Sequence, residues 1–218
     1  MHPMDHSRTS ARLFGGTPED YLHLHRWMDD TKQTFADFRH RALRHHSFGI
    51  IEAQKMFGDS ITNSDGAVIE VHWVLEQHTK EDCGGRVPTT DDWLACMDAL
   101  RWMQEDQRED DCAMSVRKWG GCPSDYVLIH GWMDETRKCF TDYRYKALRY
   151  HSYGIFEAEK VFGVSFTNSA GKQVHVRYVV EEHVKNHCGG KIPTVEDWLR
   201  NMTPQAWMSR GYPELSRA

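Results

Sequence analysis

No apolar run in the 218-residue chain approaches the roughly 20 residues of a membrane-spanning helix. This argues against a membrane protein. Nor does the N-terminal stretch Met-His-Pro-Met-Asp-His-Ser-Arg carry the apolar core of a secretory signal. A basic excess is also lacking. A formal net charge of -5 and a pI near 6.3 argue against nucleic-acid binding through a general basic surface. The six cysteines include no Cys-x-x-Cys pair, which tells against a zinc ribbon or a secreted disulfide framework and fits a reducing cytoplasm. Two other motifs are missing, His-Glu-x-x-His and Gly-x-Ser-x-Gly, so neither a zincin nor an α/β-hydrolase nucleophile is indicated.

What the chain does have is repetition. Residues 37–50, Asp-Phe-Arg-His-Arg-Ala-Leu-Arg-His-His-Ser-Phe-Gly-Ile, return at 142–155 as Asp-Tyr-Arg-Tyr-Lys-Ala-Leu-Arg-Tyr-His-Ser-Tyr-Gly-Ile. The offset is 105, and laying 15–103 over 120–208 needs no gap and gives 46 identities in 89 positions. Two copies this similar share one fold. The division expected is a polar lead-in (1–14), a first repeat (15–103), an acidic linker (104–114), a second repeat (115–208) and a tail (209–218).

Within a copy, Pro18 followed by Glu19 and Asp20 predicts a helix start, because proline suits the first turn and acids its positive end. The apolar spacing of Tyr21, Leu24, Met28, Phe35, Ala42 and Leu43 predicts a helix continuing to about Ser47. Gly49 is expected to interrupt it before a second piece ending at Gly58. Short strands around Asn63-Ser-Asp-Gly66 predict a hairpin. A helix over His72–Asp82 ends at Cys83-Gly84-Gly85, and Thr89 with Asp92 predicts a capped final helix. The fold class expected is mainly α (α+β): a tandem duplicate of a helical unit, one small β-hairpin per unit, in a pseudo-twofold, intramolecular pseudo-dimer arrangement.

Fourteen histidines and eight tryptophans are high counts for this length. The copies control one another: only His25/His130, His46/His151 and His78/His183 occur in both, beside Asp29/Asp134, Arg39/Arg144, Arg44/Arg149, Glu52/Glu157 and Glu76/Glu181. His25 and Asp29 stand four apart, one turn along a helix face. On a continuous helix, His46 and Arg39 would point inward and demand partners. Three readings follow. His25, Asp29, His46 and His78, with His130, Asp134, His151 and His183 in copy 2, could hold Zn²⁺, Fe²⁺ or Mn²⁺. Alternatively Arg39, Arg44, Arg144 and Arg149 could bind a small anion or nucleotide, with Trp27 or Trp73 as a stacking surface. In the third, these residues are buried framework.

The motifs Asp-Tyr-(x)3-His-x-Trp-Met-Asp, Asp-x-Arg-x-x-Ala-Leu-Arg-x-His-Ser-x-Gly-Ile, Thr-Asn-Ser-x-Gly, Glu-x-His-x-Lys and Ile/Val-Pro-Thr-x-x-Asp-Trp-Leu cover nearly all of both repeats. Together they resemble an uncharacterised domain-of-unknown-function family of bacterial and phage proteins, present here twice. The resemblance implies a bacterial or phage-infected cytoplasm but no activity. The function expected is a cytoplasmic binding protein holding a small anion or a metal in a His/Arg/acid pocket of each unit. One alternative is a metal-dependent hydrolase of phosphorylated or nucleotide substrates, with Glu52, Glu76, Glu157 or Glu181 as base. Another is a protein-binding adaptor or inhibitor with Trp-rich contact surfaces.

Overall fold

The computed structural model describes residues 1–35, 37–106 and 109–209. Among the described residues, 1–96 with 203–209 make unit 1, and 97–202 make unit 2.

Unit 1 opens with α1 (Pro3–Phe14), where the sequence reading expected a polar lead-in. Pro3 opens the first turn, Asp5 and Arg12 complement the helix dipole, and Gly15 (φ +81°) ends the helix. This helix buries His6, Ser7 and Ser10. At the start of α2 (Pro18–Asp29), the Asp20 carboxylate accepts from Thr17 N at 2.7 Å.

The predicted helix to Ser47 breaks at Asp29. Two 3₁₀ turns, 30–33 and 38–43, replace it, the second capped by Asp37 accepting from Arg39 N. The 3₁₀ geometry advances 120° per residue rather than 100°. Consequently Arg41 and His45 are fully buried, while Arg39 stays partly exposed beside Asp37. Gly49 interrupts nothing. It lies inside α3 (Ser47–Phe57), where a Cβ would meet Arg44 O at 2.0 Å, so this position requires glycine for close approach.

Strands β1 (Ser60–Thr62) and β2 (Val68–Glu70) pair antiparallel with Ile61 opposite Ile69. Gly66 takes φ +81° in the turn, and Asn63 accepts from Asp65 N and Ala67 N while donating to Phe14 O. That side chain ties the hairpin to the end of α1. The helices α4 (Val71–Asp82) and α5 (Thr90–Leu94) complete the copy, with Thr89 and Asp92 capping each other's backbone. Tyr21, Leu24, Met28, Ile50, Ala53, Ile69, Val71, Val74 and Leu75 form the core of unit 1. Each large apolar side chain buried there contributes about 1.5–3 kcal/mol.

Unit 2 repeats the plan after α6 (Arg101–Gln104). Its elements are α7 (Asp111–Trp119), α8 (Val127–Asp134), α9 (Ser152–Phe162), β3 (Ser165–Thr167), β4 (Gln173–His175), α10 (Val176–His187) and α11 (Val195–Leu199). Each unit is mainly α with one small antiparallel hairpin, as the sequence predicts.

The tails are exchanged. In unit 1 the Trp207 ring, from the end of copy 2, sits 4.7 Å from the Trp93 ring, and Arg86 lies over it at 4.5 Å. Unit 2 has the mirror contact, Trp102 from the end of copy 1 against Trp198 at 4.7 Å. Met208 is fully buried in unit 1 and Met103 in unit 2.

Candidate metal centre

Unit 1 gathers its polar side chains between α1, α2, α4 and the 3₁₀ turn before His45. Asp29, His45, His78 and Asp82, all buried, bring one ligand atom each to within 4.8 Å of one another. His45 Nε2 and His78 Nε2 are 3.0 Å apart. From His45 Nε2, Asp29 Oδ1 is at 3.6 Å and Asp82 Oδ2 at 3.4 Å; from His78 Nε2 the same oxygens are at 3.8 and 3.9 Å. A tetrahedral ion bound at 2.0–2.2 Å separates its ligands by about 3.3–3.6 Å, and the observed spacings bracket that range. His78 and Asp82 reach the same point because they stand four apart on α4.

Cationic groups flank the carboxylates. Lys32 Nζ is 2.8 Å from Asp29 Oδ1, and Arg41 Nη2 is 2.9 Å from Asp82 Oδ2. Arg41 also donates to Asp82 O at 2.7 Å, fixing the end of α4. Burial would raise the Asp29 pKa, but hydrogen bonding and charge from His45 and Lys32 hold it near 2. Against the same effect of burial, His45, His6 and Arg41 keep Asp82 far below the usual carboxylate range. Burial and then His6 press His25 down to about 3; burial and His45 press His78 well below its ordinary value. Both imidazoles are therefore neutral and keep a lone pair.

Behind the cluster, His25 Nδ1 meets His78 Nδ1 at 2.9 Å and Ser10 Oγ meets His25 Nε2 at 2.9 Å. The His6 ring lies 4.0 Å from the His78 ring at a tilt of 35°, with Nδ1 2.5 Å from Glu81 and Nε2 3.5 Å from Asp82 Oδ1. Burial would lower the His6 pKa, yet hydrogen bonds to Asp82 and Glu81 raise it.

The equivalent place in unit 2 is built differently. Asp134 and His183 remain, but Tyr150 stands where unit 1 has His45 and His187 where it has Asp82. The Tyr150 hydroxyl donates directly to Asp134 Oδ1. His187 donates Nε2 to Asp111 at 2.9 Å and Nδ1 to Asp106 at 2.5 Å. Burial would lower the His187 pKa, but those two carboxylates raise it. Asp111, His130 and His183 also approach one another within 4.8 Å, and there Asp111 Oδ2 already accepts from His183 Nδ1 at 3.2 Å. A phenol proton and an imidazolium thus occupy the place where unit 1 concentrates electron pairs.

The sequence-derived candidates divide. The structure brings Asp29 and His78 to the unit 1 cluster with His25 one layer behind, and brings His130 and His183 together with Asp111 in unit 2, with Asp134 Oδ1 3.8 Å from His183 Nε2. His46 and His151 are elsewhere: each caps a helix, Nδ1 accepting at 2.9 Å from Gly49 N or Gly154 N, and burial lowers them to about 3 and about 4. Arg44 and Arg149 clamp the ends of α2 and α8, donating to Trp27 O and Trp132 O and stacking at 4.1 and 4.0 Å on those rings. The stacking surface proposed at Trp27 is thus occupied by the protein's own arginine, and Trp73 is exposed. Arg39 and Arg144 pair with Asp37 and Asp142. Glu52, Glu76 and Glu157 pair with Lys55, Lys80 and Lys160, and Glu181 with Arg177, rather than joining a cluster.

The comparison of 15–103 with 120–208 passed over His45 and Asp82 because they differ between copies, and His6 because it lies in the stretch read as a lead-in. The available signal was the His78/Asp82 spacing of four, the same spacing that singled out His25 and Asp29.

A family model described as a domain of unknown function (DUF6915) matches residues 1–103 and again 107–208, so the chain belongs to that family as two tandem copies. The matched ranges take in α1 and α7. No curated protein and no solved structure matches. No described helix is long and apolar enough to cross a membrane.

Proposed function

We propose that this protein is a metal-binding tandem repeat in which unit 1 holds one divalent transition ion through Asp29, His45, His78 and Asp82, and unit 2 holds none. The convergence of four buried ligand atoms carries the reading. His45 Nε2 and His78 Nε2 lie 3.0 Å apart, and two carboxylate oxygens lie within 4 Å of both. Lys32 and Arg41 each meet one of these carboxylates, and the buried donor atoms that face one another between them are a place a further cation would suit. Unit 2 supports the reading from the opposite direction, since Tyr150 supplies Asp134 with the hydrogen that a metal would make unnecessary.

Two nitrogens and two oxygens so close together suit Zn²⁺, with Fe²⁺ and Mn²⁺ as competitors. Four protein ligands close a tetrahedral site, whereas a catalytic zinc keeps a position for water or substrate. The role proposed is therefore holding the ion, as a structural or sequestering site in a cytoplasmic protein, rather than hydrolysis.

The test is metal content by mass spectrometry on untagged protein. About one equivalent per chain is expected, retained in a folded His46→Ala variant and lost in His45→Ala. Two equivalents, or retention in His45→Ala, would overturn the assignment. So would metal-free protein that takes up no Zn²⁺, Fe²⁺ or Mn²⁺ on dialysis.

A further inference from the structure

Imidazole can bind a metal through Nε2 only if its proton, when neutral, sits on Nδ1. In unit 1 the surrounding hydrogen bonds determine this for His78, and the polarity can be followed inward from α4. The Glu81 carboxylate can only accept, so the Gln77 Nε2 that meets Glu81 Oε1 at 2.6 Å is the amide nitrogen. Gln77 then presents its carbonyl oxygen to Ser10, whose hydroxyl donates to Oε1 at 3.0 Å. That uses the one hydroxyl proton. Ser10 Oγ must therefore accept from His25 Nε2–H, which lies at 2.9 Å. Neutral His25 is left with a bare Nδ1, and this accepts from His78 Nδ1–H at 2.9 Å. His78 in turn is left with a bare Nε2, the atom that faces His45, Asp29 and Asp82.

We infer that Gln77, Ser10 and His25 are positioning residues that hold His78 as its Nδ1–H tautomer, so that Nε2 is ready for a metal before any metal arrives. The inference rests on the metal reading for its purpose, but the hydrogen-bond chain is defined without an ion. The chain also runs to the surface. Gln77 and Glu81 line a groove of about 520 Å³ with Trp73, Glu76, Lys80 and Gly85. Gln77 is therefore the one link that can be altered from the solvent side without entering the core. Unit 2 provides a built-in reference, because there His183 Nδ1 meets both His130 Nδ1 at 3.0 Å and the Asp111 carboxylate at 3.2 Å, and the carboxylate, which can only accept, holds the proton on Nδ1.

The test uses the full chain stripped of metal, with ¹⁵N-labelled histidine. Long-range ¹H–¹⁵N correlation spectra assign each tautomer in wild type, Gln77→Met and Ser10→Ala. His78 is expected as Nδ1–H in wild type. Both variants should convert it wholly or partly to Nε2–H while leaving His183 unchanged. Zn²⁺ affinity should fall in the same variants, by at most the roughly 10–100-fold usual for removing the direct partner of a ligating histidine, here His25. Nε2–H at His78 in the wild type would overturn the inference. So would variants whose unit 1 folds, as judged by unchanged signals of the buried helix-capping His46, and that keep both tautomer and affinity. Should Ser10→Ala fail to fold, the more superficial Gln77→Met decides alone. If the tautomer responds as expected but no ion binds to any form, the chain stands and the metal assignment falls.

Discussion

At the scale of single residues, the two units pose one structural question and answer it with different chemistry. In unit 1 the Asp29 carboxylate faces two imidazole nitrogens; in unit 2 its counterpart Asp134 receives the hydroxyl of Tyr150. Residue exchange should therefore move the property. Tyr150→His with His187→Asp would place His, His, Asp and Asp at the unit 2 positions equivalent to 45, 78, 29 and 82. Such a protein is expected to bind close to two equivalents of Zn²⁺ instead of one, measured by titration calorimetry. His187 offers a pH readout as well. Its pKa is raised above 6.5 in the folded chain, so its ion pairs with Asp106 and Asp111 stabilise unit 2 fully below pH 6.5. That contribution is lost as pH rises through the folded value. Metal-stripped protein should accordingly show a melting temperature for unit 2 that declines on the alkaline side of pH 6.5, and His187→Gln should flatten the decline.

At the scale of elements, the parts legible in the sequence were those with local physical signatures. The Pro18 start, the Asn63–Gly66 turn, the termination at Cys83-Gly84-Gly85 and the Thr89/Asp92 cap all depend on backbone chemistry a few residues long. The stretch from Asp29 to Ser47 was not legible. Its apolar spacing fits a 3.6-residue period, and only tertiary packing reveals that 30–33 and 38–43 wind as 3₁₀ turns. The 3₁₀ winding leaves Arg39 partly exposed beside Asp37 and buries Arg41 instead, while His46 is buried as expected but serves as a helix cap. Nor was α1 legible, since its polar residues look like a lead-in until the buried histidines that His6 and Ser10 contact are in place. Gly49 marks the tightest junction. Gly49→Ala should destabilise unit 1 by roughly 1–3 kcal/mol through overpacking, and Gly154→Ala unit 2 by a similar amount, since there the Cβ would meet Arg149 O at 1.9 Å. Chemical denaturation checks both, and equal costs are expected because the two clamps are alike.

For the molecule as a whole, duplication has produced two similar frameworks with unequal interiors. Removing metal should lower the stability of unit 1 alone, with hydrogen-exchange protection falling along α1, α2 and α4 and holding along α7, α8 and α10. The tails impose a second, crosswise dependence. Met208 belongs by sequence to copy 2 but is buried in unit 1. Met208→Ala is therefore expected to destabilise unit 1 by about 2–5 kcal/mol, and hydrogen exchange would locate the loss in residues 1–96 rather than in the repeat that carries the substitution.

This crossing changes the order of the folding reaction. A repeat released as an independent polypeptide would lack the closing segment of its own unit and would have to recruit it from another molecule. Its assembly would be bimolecular and would weaken on dilution. With both repeats on one chain, the search becomes first order, and each closing segment is present at an effective concentration set by the connecting peptide, about millimolar for a short flexible one. Stability that a single repeat could reach only at high protein concentration is thereby made independent of concentration.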